Sequence, residues 1–147
     1  MKLVEIEVLN FKGVKHAVVP ISDSTVLVGV NNAGKSSILQ AIHFSARAMA
    51  SAAEANKQTT LSISELEYLP TNSYKLLGHN SIWGNAQTSP ESKVAFRFKD
   101  NDKIVEASVR LKSARNEGLS VNPVIPPPRY FPFSVIGKLH FPLIFRG

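Results

Sequence analysis

The stretch Gly29-Val30-Asn31-Asn32-Ala33-Gly34-Lys35-Ser36 decides the fold of this chain. It fits the pattern G-x-x-x-x-G-K-[ST] of a phosphate-binding P-loop, in which backbone N–H groups surround phosphate oxygens. Gly29 and Gly34 permit the backbone conformations and the close approach that such a loop requires. A helix that begins near Lys35 adds the partial positive charge of its N-terminus. The stretch therefore predicts a loop that binds a nucleoside triphosphate.

The residues of this loop have distinct expected roles. Lys35 is expected to reach the β- and γ-phosphates, and the Ser36 hydroxyl is expected to ligate Mg²⁺, which in turn bridges the phosphates. No other metal ligand and no catalytic residue is predicted. The residues of the loop predicted to bind the nucleotide are Gly29, Asn31, Asn32, Ala33, Gly34, Lys35, Ser36 and Ser37.

The flanks of the loop agree with this interpretation. Thr25-Val26-Leu27-Val28 is a β-branched, apolar run that predicts a buried parallel strand leading into Gly29. After the loop, apolar residues recur at steps of three or four, which predicts one buried face of a helix ending near Asn56. These residues are Ile38, Ile42, Ala46 and Met49.

Two strands are predicted before the loop. Residues 3–9 alternate between apolar and polar side chains, Asn10-Phe11-Lys12-Gly13 breaks the pattern, and a second strand covers Lys15 to Pro20. Small GTPases and nucleoside kinases usually place the P-loop after their first strand. The order therefore favours another class of P-loop protein.

The first 50 residues resemble the N-terminal part of ABC-type ATPases of the RecF, SMC and OLD nuclease group. The resemblance implies an α/β fold: the N-terminal lobe of a P-loop NTPase, with a mixed sheet, one long P-loop helix and an antiparallel β-hairpin subdomain. It also implies ATP and Mg²⁺ as ligands, a homodimer or a partner chain, and a role in DNA processing or phage defence. The matching residues are Asn10, Phe11, Lys12, Gly29, Asn31, Asn32, Ala33, Gly34, Lys35, Ser36 and Ser37.

The same resemblance implies a role for Lys12, because the basic residue after Asn-Phe lies near the phosphates or ribose in the related ATPases. The alternative is an ordinary surface lysine at a strand end. Gln87 is a candidate for the glutamine that senses the γ-phosphate, although its neighbours are typical of a loop.

Beyond the helix, the sequence predicts a domain spanning 1–120 with a variable insertion around 57–91. Residues 92–98 and 103–111 alternate on either side of the polar run 99–102, which predicts a β-hairpin. The segment 121–147 contains six of the nine prolines and no acidic residue. We expect it to be a proline-rich tail that follows a truncation or frameshift of a longer gene.

Two motifs needed for hydrolysis do not occur in the sequence. No apolar run ends in Asp-Asp or Asp-Glu, and nothing resembles the Leu-Ser-Gly-Gly signature of ABC-type ATPases. Binding without independent turnover is therefore expected, and ATPase activity would need those motifs from elsewhere. The guanine-reading motif Asn-Lys-x-Asp is also missing, which favours ATP over GTP.

Composition adds broad limits. The formal charge of +6 is compatible with DNA as a partner, but the basic residues are scattered. The absence of cysteine, of a signal peptide and of a membrane span predicts a cytoplasmic protein. Two alternatives stay open: a non-catalytic interaction module or truncated remnant, and a small kinase or GTPase.

Overall fold

A five-stranded antiparallel sheet with one long helix across its face forms the fold. The computed structural model describes residues 1–54, 61–81, 90–113 and 119–126. The strand order is β2-β1-β3-β4-β5, and every pairing in this sheet is antiparallel. The elements are β1 (Lys2–Phe11), β2 (Val14–Pro20), α1 (Lys35–Glu54), β3 (Ser92–Asp100), β4 (Lys103–Ser113) and β5 (Leu119–Val124).

The alternating pattern of the strands explains the two faces of the sheet. In β1, Ile6 and Val8 are fully buried against the helix, whereas Glu5 and Glu7 lie on the opposite face. The two predicted N-terminal strands are confirmed. The predicted hairpin is also confirmed, with a tight turn at Asn101 (φ 52°), a residue that tolerates the left-handed conformation.

The helix packs its predicted apolar face onto the sheet. Ile42, Ala46 and Met49 are buried and Ile38 is partly buried, as the spacing predicts. The core also contains Phe44, which is fully buried. The helix ends at Glu54, two residues before the predicted end near Asn56, and Asn56 itself lies outside the described residues.

The predicted strand Thr25–Val28 is wrong: this segment forms no strand. Val26 and Val28 are 76% and 85% exposed, and Val30 is 79% exposed. A buried parallel strand needs neighbours that accept its backbone hydrogen bonds, and no strand of the described sheet pairs with this segment. The expected mixed sheet is therefore also wrong for the described part of the chain. The hairpin is no separate subdomain either, because β3 pairs directly with β1.

The segment 61–81 lies within the predicted insertion and is tied to the sheet at two places. The Leu61 N–H donates to the Val121 carbonyl at 2.7 Å, and Gly78 forms a bridge with Phe11. The fully buried side chains of Leu61 and Leu77 make this segment part of the hydrophobic core. Its short 3₁₀ helices are Ile63–Glu65, Tyr74–Leu77 and His79–Ser81.

The C-terminal part described here is an edge strand. β5 includes Pro123, which a sheet tolerates at its edge because proline has no N–H to donate. Residues 127–147, most of the predicted tail, lie outside the described residues, as does Gln87. Within the described chain, no helix has the length and apolar character needed to cross a membrane.

Candidate phosphate-binding site

The loop between the segment 25–28 and α1 turns sharply at Gly34. Gly34 has φ 88°, and its carbonyl accepts the first helical hydrogen bond from the Ile38 N–H at 2.9 Å. A Cβ at this position would lie 3.2 Å from Cγ2 of Val14. Asn32 also has a left-handed φ of 65°, and the Ala33 N–H donates to the Val30 carbonyl at 3.2 Å. Glycine is therefore required at Gly34 both by its φ and by the close approach of β2.

The N-terminus of α1 has the charge expected of an anion site. The N–H groups of Lys35, Ser36 and Ser37 have no carbonyl partner within the helix. The first turn contains no acidic residue that would neutralise the helix dipole. The Ser36 side chain is exposed, so its hydroxyl is accessible to a metal ion. These groups fit the phosphates of a nucleotide and one ligand position of Mg²⁺.

Lys35 folds back over its own loop. Its Nζ donates to the carbonyl of Gly29 at 2.6 Å and to that of Val30 at 2.9 Å. The ammonium group is thereby held above the loop by neutral acceptors. Anionic phosphate oxygens are stronger partners for an ammonium group than peptide carbonyls, so a phosphate could replace them.

The turn between β1 and β2 touches the start of α1. The Gly13 N–H donates to the Ser37 hydroxyl at 3.3 Å. A Cβ on Gly13 would lie 3.9 Å from the Cα of Gly34, so the two backbones are close together. The loop therefore rests on the β1–β2 turn, which brings Lys12 to the same region.

Lys12 is half-buried, and its backbone and its side chain are both hydrogen-bonded. Its N–H donates to the Leu77 carbonyl at 2.9 Å, and its carbonyl lies 2.9 Å from Nδ1 of His79. Its Nζ donates to Oε1 of Gln40 at 2.7 Å. Lys12 adopts φ 47°, a left-handed conformation that such contacts can hold in place. The ammonium group thus contacts α1, and both the predicted role of Lys12 near the nucleotide and the alternative of an ordinary surface lysine at a strand end stay open.

Sequence reasoning missed Gln40, Leu77 and His79 as neighbours of the candidate site. The position of Gln40 four residues after Ser36 was the available signal, because residues four apart share a helix face. No sequence pattern places the insertion residues Leu77 and His79 against the β1–β2 turn.

One protein-family model matches the part of the chain that contains the loop and most of the sheet. The family model described as "AAA ATPase domain" matches residues 1–122, which include β1 to β4, α1, the complete loop and the first four residues of β5. The chain belongs to the AAA ATPase domain family. This membership supports nucleotide binding. The chain matches no curated protein and no solved structure closely enough for comparison.

This AAA ATPase domain has no acidic metal cluster in the part of the chain that the structure describes. No group of three or more His, Cys, Asp or Glu side chains could hold a metal ion within the described residues. The Ser36 hydroxyl, exposed in the loop, stays a predicted metal ligand.

Three glutamates of this AAA ATPase domain meet one arginine on the sheet face opposite α1. Arg97 of β3 donates to the carboxylates of Glu5, Glu7 and Glu106, the last at 3.1 Å. The hydrogen bond from His16 lowers the pKa of Glu7 against the effect of burial, and the charge of Arg97 lowers it further. These hydrogen-bonded carboxylates raise the pKa of Arg97. The cluster is therefore a salt-bridge network on the outer face of the sheet.

Proposed function

We propose that the chain binds ATP with Mg²⁺ through residues 29–37, as the N-terminal lobe of an OLD- or RecF-like ATPase. The observation that carries this proposal is the start of α1. There, unpaired N–H groups, a first turn without acidic residues and the Lys35 ammonium meet at one loop. Such a helix N-terminus binds phosphate groups. The remaining loop residues, Asn31, Asn32, Ala33 and Ser37, would complete the cradle.

Binding without independent hydrolysis is the proposed activity. Ser36 would ligate Mg²⁺, and the metal ion would neutralise phosphate charge when bound. A hydrolase also needs a carboxylate for the metal and a group that orients water. The sequence has no apolar run that ends in Asp-Asp or Asp-Glu, the pattern that would supply such a carboxylate. ATP is proposed over GTP because no guanine-reading motif is present in the sequence.

The proposed role in DNA processing or phage defence requires a larger assembly. Val26, Val28 and Val30 are exposed beside the loop, which supports a homodimer or a partner chain that covers them. The predicted boundary between an ATP-binding domain of residues 1–120, with its insertion around 57–91, and a proline-rich tail of residues 121–147 falls inside β5, so the proposed domain extends to Val124. DNA is proposed as a partner of the assembly, and the cytoplasm as its location.

The same exposed valines favour a second candidate function, a non-catalytic interaction module or a truncated remnant without independent activity. Exposed apolar side chains in an unpaired segment promote association with other chains. This candidate predicts aggregation of the isolated chain or dependence on a partner. A monodisperse monomer that melts cooperatively would contradict it.

The test of ATP binding compares the wild type with Lys35→Ala. We expect the affinity for a fluorescent ATP analogue with Mg²⁺ to fall at least about tenfold, because charge-assisted hydrogen bonds to phosphate are lost. Lys99→Ala is the matched control, since Lys99 is exposed on β3 and outside the loop. Unchanged affinity in Lys35→Ala, or no binding by the wild type, would overturn the proposal.

Phosphate release is measured in the same samples. Lysine-dependent binding without release is the result expected of a site that needs further residues for hydrolysis. Lysine-dependent release would contradict the proposed lack of independent turnover and would show that a catalytic carboxylate reaches the loop.

A further inference from the structure

The contact between Lys12 and Gln40 joins the β1–β2 turn to the phosphate-binding end of α1. Lys12 Nζ donates to Oε1 of Gln40 at 2.7 Å, and the contact is partly buried. Gln40 lies one helical turn after Ser36 on the same face. Helical side chains lean toward the helix N-terminus, which brings the amide of Gln40 over the turn of Ser36 and Ser37. The Lys12 ammonium therefore lies beside the first turn of α1.

The backbone of Lys12 is held in place by its neighbours. Its N–H is bonded to the Leu77 carbonyl and its carbonyl to the His79 ring, each at 2.9 Å. The preceding residue, Phe11, is fully buried. The backbone is held on both sides of Lys12, so only the torsions of its long side chain can still vary. The hydrogen bond to Gln40 restricts these torsions at the ammonium end. Ordering a free lysine side chain costs conformational entropy, and this contact has already ordered it.

The hydrogen bond to Gln40 uses only one of the donors of the Lys12 ammonium group. An ammonium group has three N–H donors, and Gln40 accepts one of them. The acceptor is a neutral amide, in contrast to Lys93, whose ammonium meets the carboxylate of Glu106 at 2.7 Å. The Lys12 ammonium can therefore bind an anion while it keeps its bond to Gln40.

We propose that Gln40 is a positioning residue that holds the Lys12 ammonium beside the first turn of α1, ready to bind a phosphate oxygen of the nucleotide. This inference rests on the proposed function, because it needs a triphosphate in the loop. It assigns to Gln40 a role in affinity that acts through Lys12, without contact between Gln40 and the nucleotide.

A double-mutant cycle tests this coupling. The dissociation constant of a fluorescent ATP analogue with Mg²⁺ is measured for the wild type, Lys12→Met, Gln40→Met and the double variant. We expect Lys12→Met to weaken binding about tenfold and Gln40→Met about fivefold, the size of one lost hydrogen bond each. The double variant should match Lys12→Met, because Gln40 acts only through Lys12. Equal losses from Gln40→Met with and without Lys12 would overturn the inference.

Two further variants separate positioning from packing. Gln40→Glu retains an acceptor oxygen at the same reach but adds a carboxylate charge that competes with phosphate for Lys12, so it should bind no more tightly than Gln40→Met; tighter binding would contradict the role of the neutral amide. Arg47→Met changes the same helix face at an exposed residue and should bind as the wild type does. Thermal melting of each variant checks the fold, and a binding loss matched by a large fall in Tm would overturn the inference.

The Lys35→Ala variant, measured in parallel, separates the two proposals. If Lys35→Ala leaves ATP affinity unchanged, the proposed function fails and this inference fails with it. If Lys35→Ala weakens binding while Lys12→Met and Gln40→Met bind as the wild type does, the inference about Gln40 alone is overturned.

Discussion

Gly34 shows how one residue sets the geometry of the loop. It combines a left-handed φ of 88° with a position where a Cβ would crowd Cγ2 of Val14, at 3.2 Å. Alanine can adopt a left-handed conformation only at a cost of about 1 kcal/mol or more. The close approach of β2 adds a steric cost. The loop conformation therefore depends on this glycine through two independent effects.

We expect Gly34→Ala to lower the free energy of unfolding by about 1–3 kcal/mol and to weaken ATP binding, since the loop must shift away from Val14. Urea denaturation and the fluorescent ATP analogue measure the two effects. Gly13→Ala is the comparison variant: Gly13 has no left-handed φ, and its Cβ would lie 3.3 Å from the Ser37 hydroxyl and 3.9 Å from the Cα of Gly34, so it should cost less. Equal effects of the two substitutions would contradict the argument.

At the scale of elements, the contact between β1 and α1 positions both parts of the candidate site. Phe11 at the end of β1 and Phe44 in α1 are fully buried, with ring centroids 6.4 Å apart. Phe11 directly precedes Lys12, and Phe44 lies two turns after Ser37. This aromatic pair therefore fixes the helix relative to the β1–β2 turn.

Phe44→Ala should lower the free energy of unfolding by about 3–5 kcal/mol, because it leaves a cavity in the core. Phe44→Leu, which fills more of the space, should cost less. Arg47→Ala on the exposed face of the same helix should stay within about 1 kcal/mol of the wild type. Urea denaturation measures all three, and a small loss in Phe44→Ala would show that the helix contributes little to the fold.

At the scale of the whole molecule, the two sheet faces have different roles. The inner face and α1 form the core and carry the candidate site, whereas the outer face carries the charged cluster around Arg97. Burial raises the pKa of Glu106, but the hydrogen bond and charge of Lys93, with those of Arg97, lower it overall. The pKa of Glu7 is lowered as well, first by its hydrogen bond with His16.

Because the pKa values of Glu7 and Glu106 are lowered, the free energy of unfolding depends on pH. Each carboxyl binds its proton less readily in the folded chain than in the unfolded chain, where the pKa of glutamate is about 4.3. Their contribution is therefore present above about pH 5 and is lost as the pH falls through the lower folded values. Wild-type unfolding free energy from urea denaturation should fall steeply between about pH 5 and pH 3.

Arg97→Met should weaken this dependence, because the carboxylates of Glu5, Glu7 and Glu106 lose their common partner. We expect it to lower the unfolding free energy by about 1–3 kcal/mol near pH 7 and by less in acid, where Glu7 and Glu106 take up protons and lose their charge. Arg110→Met, at a half-exposed arginine of β4, is the matched control. Parallel curves for the wild type and Arg97→Met would contradict this account.

The sequence alone predicted the elements whose signals are local. Alternation over β1, β2 and the hairpin, and the 3.6-residue period of α1, reflect side chains that are buried on one face wherever the element lies. The P-loop pattern is also local in sequence, since its glycines and its lysine lie within residues 29–35 and Lys35 bonds back to the Gly29 carbonyl. These parts could be predicted because neighbouring residues determine them.

Only the tertiary structure decided which distant residues meet. The apolar run Thr25–Val28 has the composition of a buried strand, but pairing needs a neighbouring strand, and none in the described sheet accepts it. The Lys12–Gln40 contact, 28 residues apart in sequence, and the Arg97–Glu5 pair, 92 apart, arise because the sheet and helix bring them together. Local periodicity specifies what a segment can become, whereas its partners depend on the packing of the whole chain.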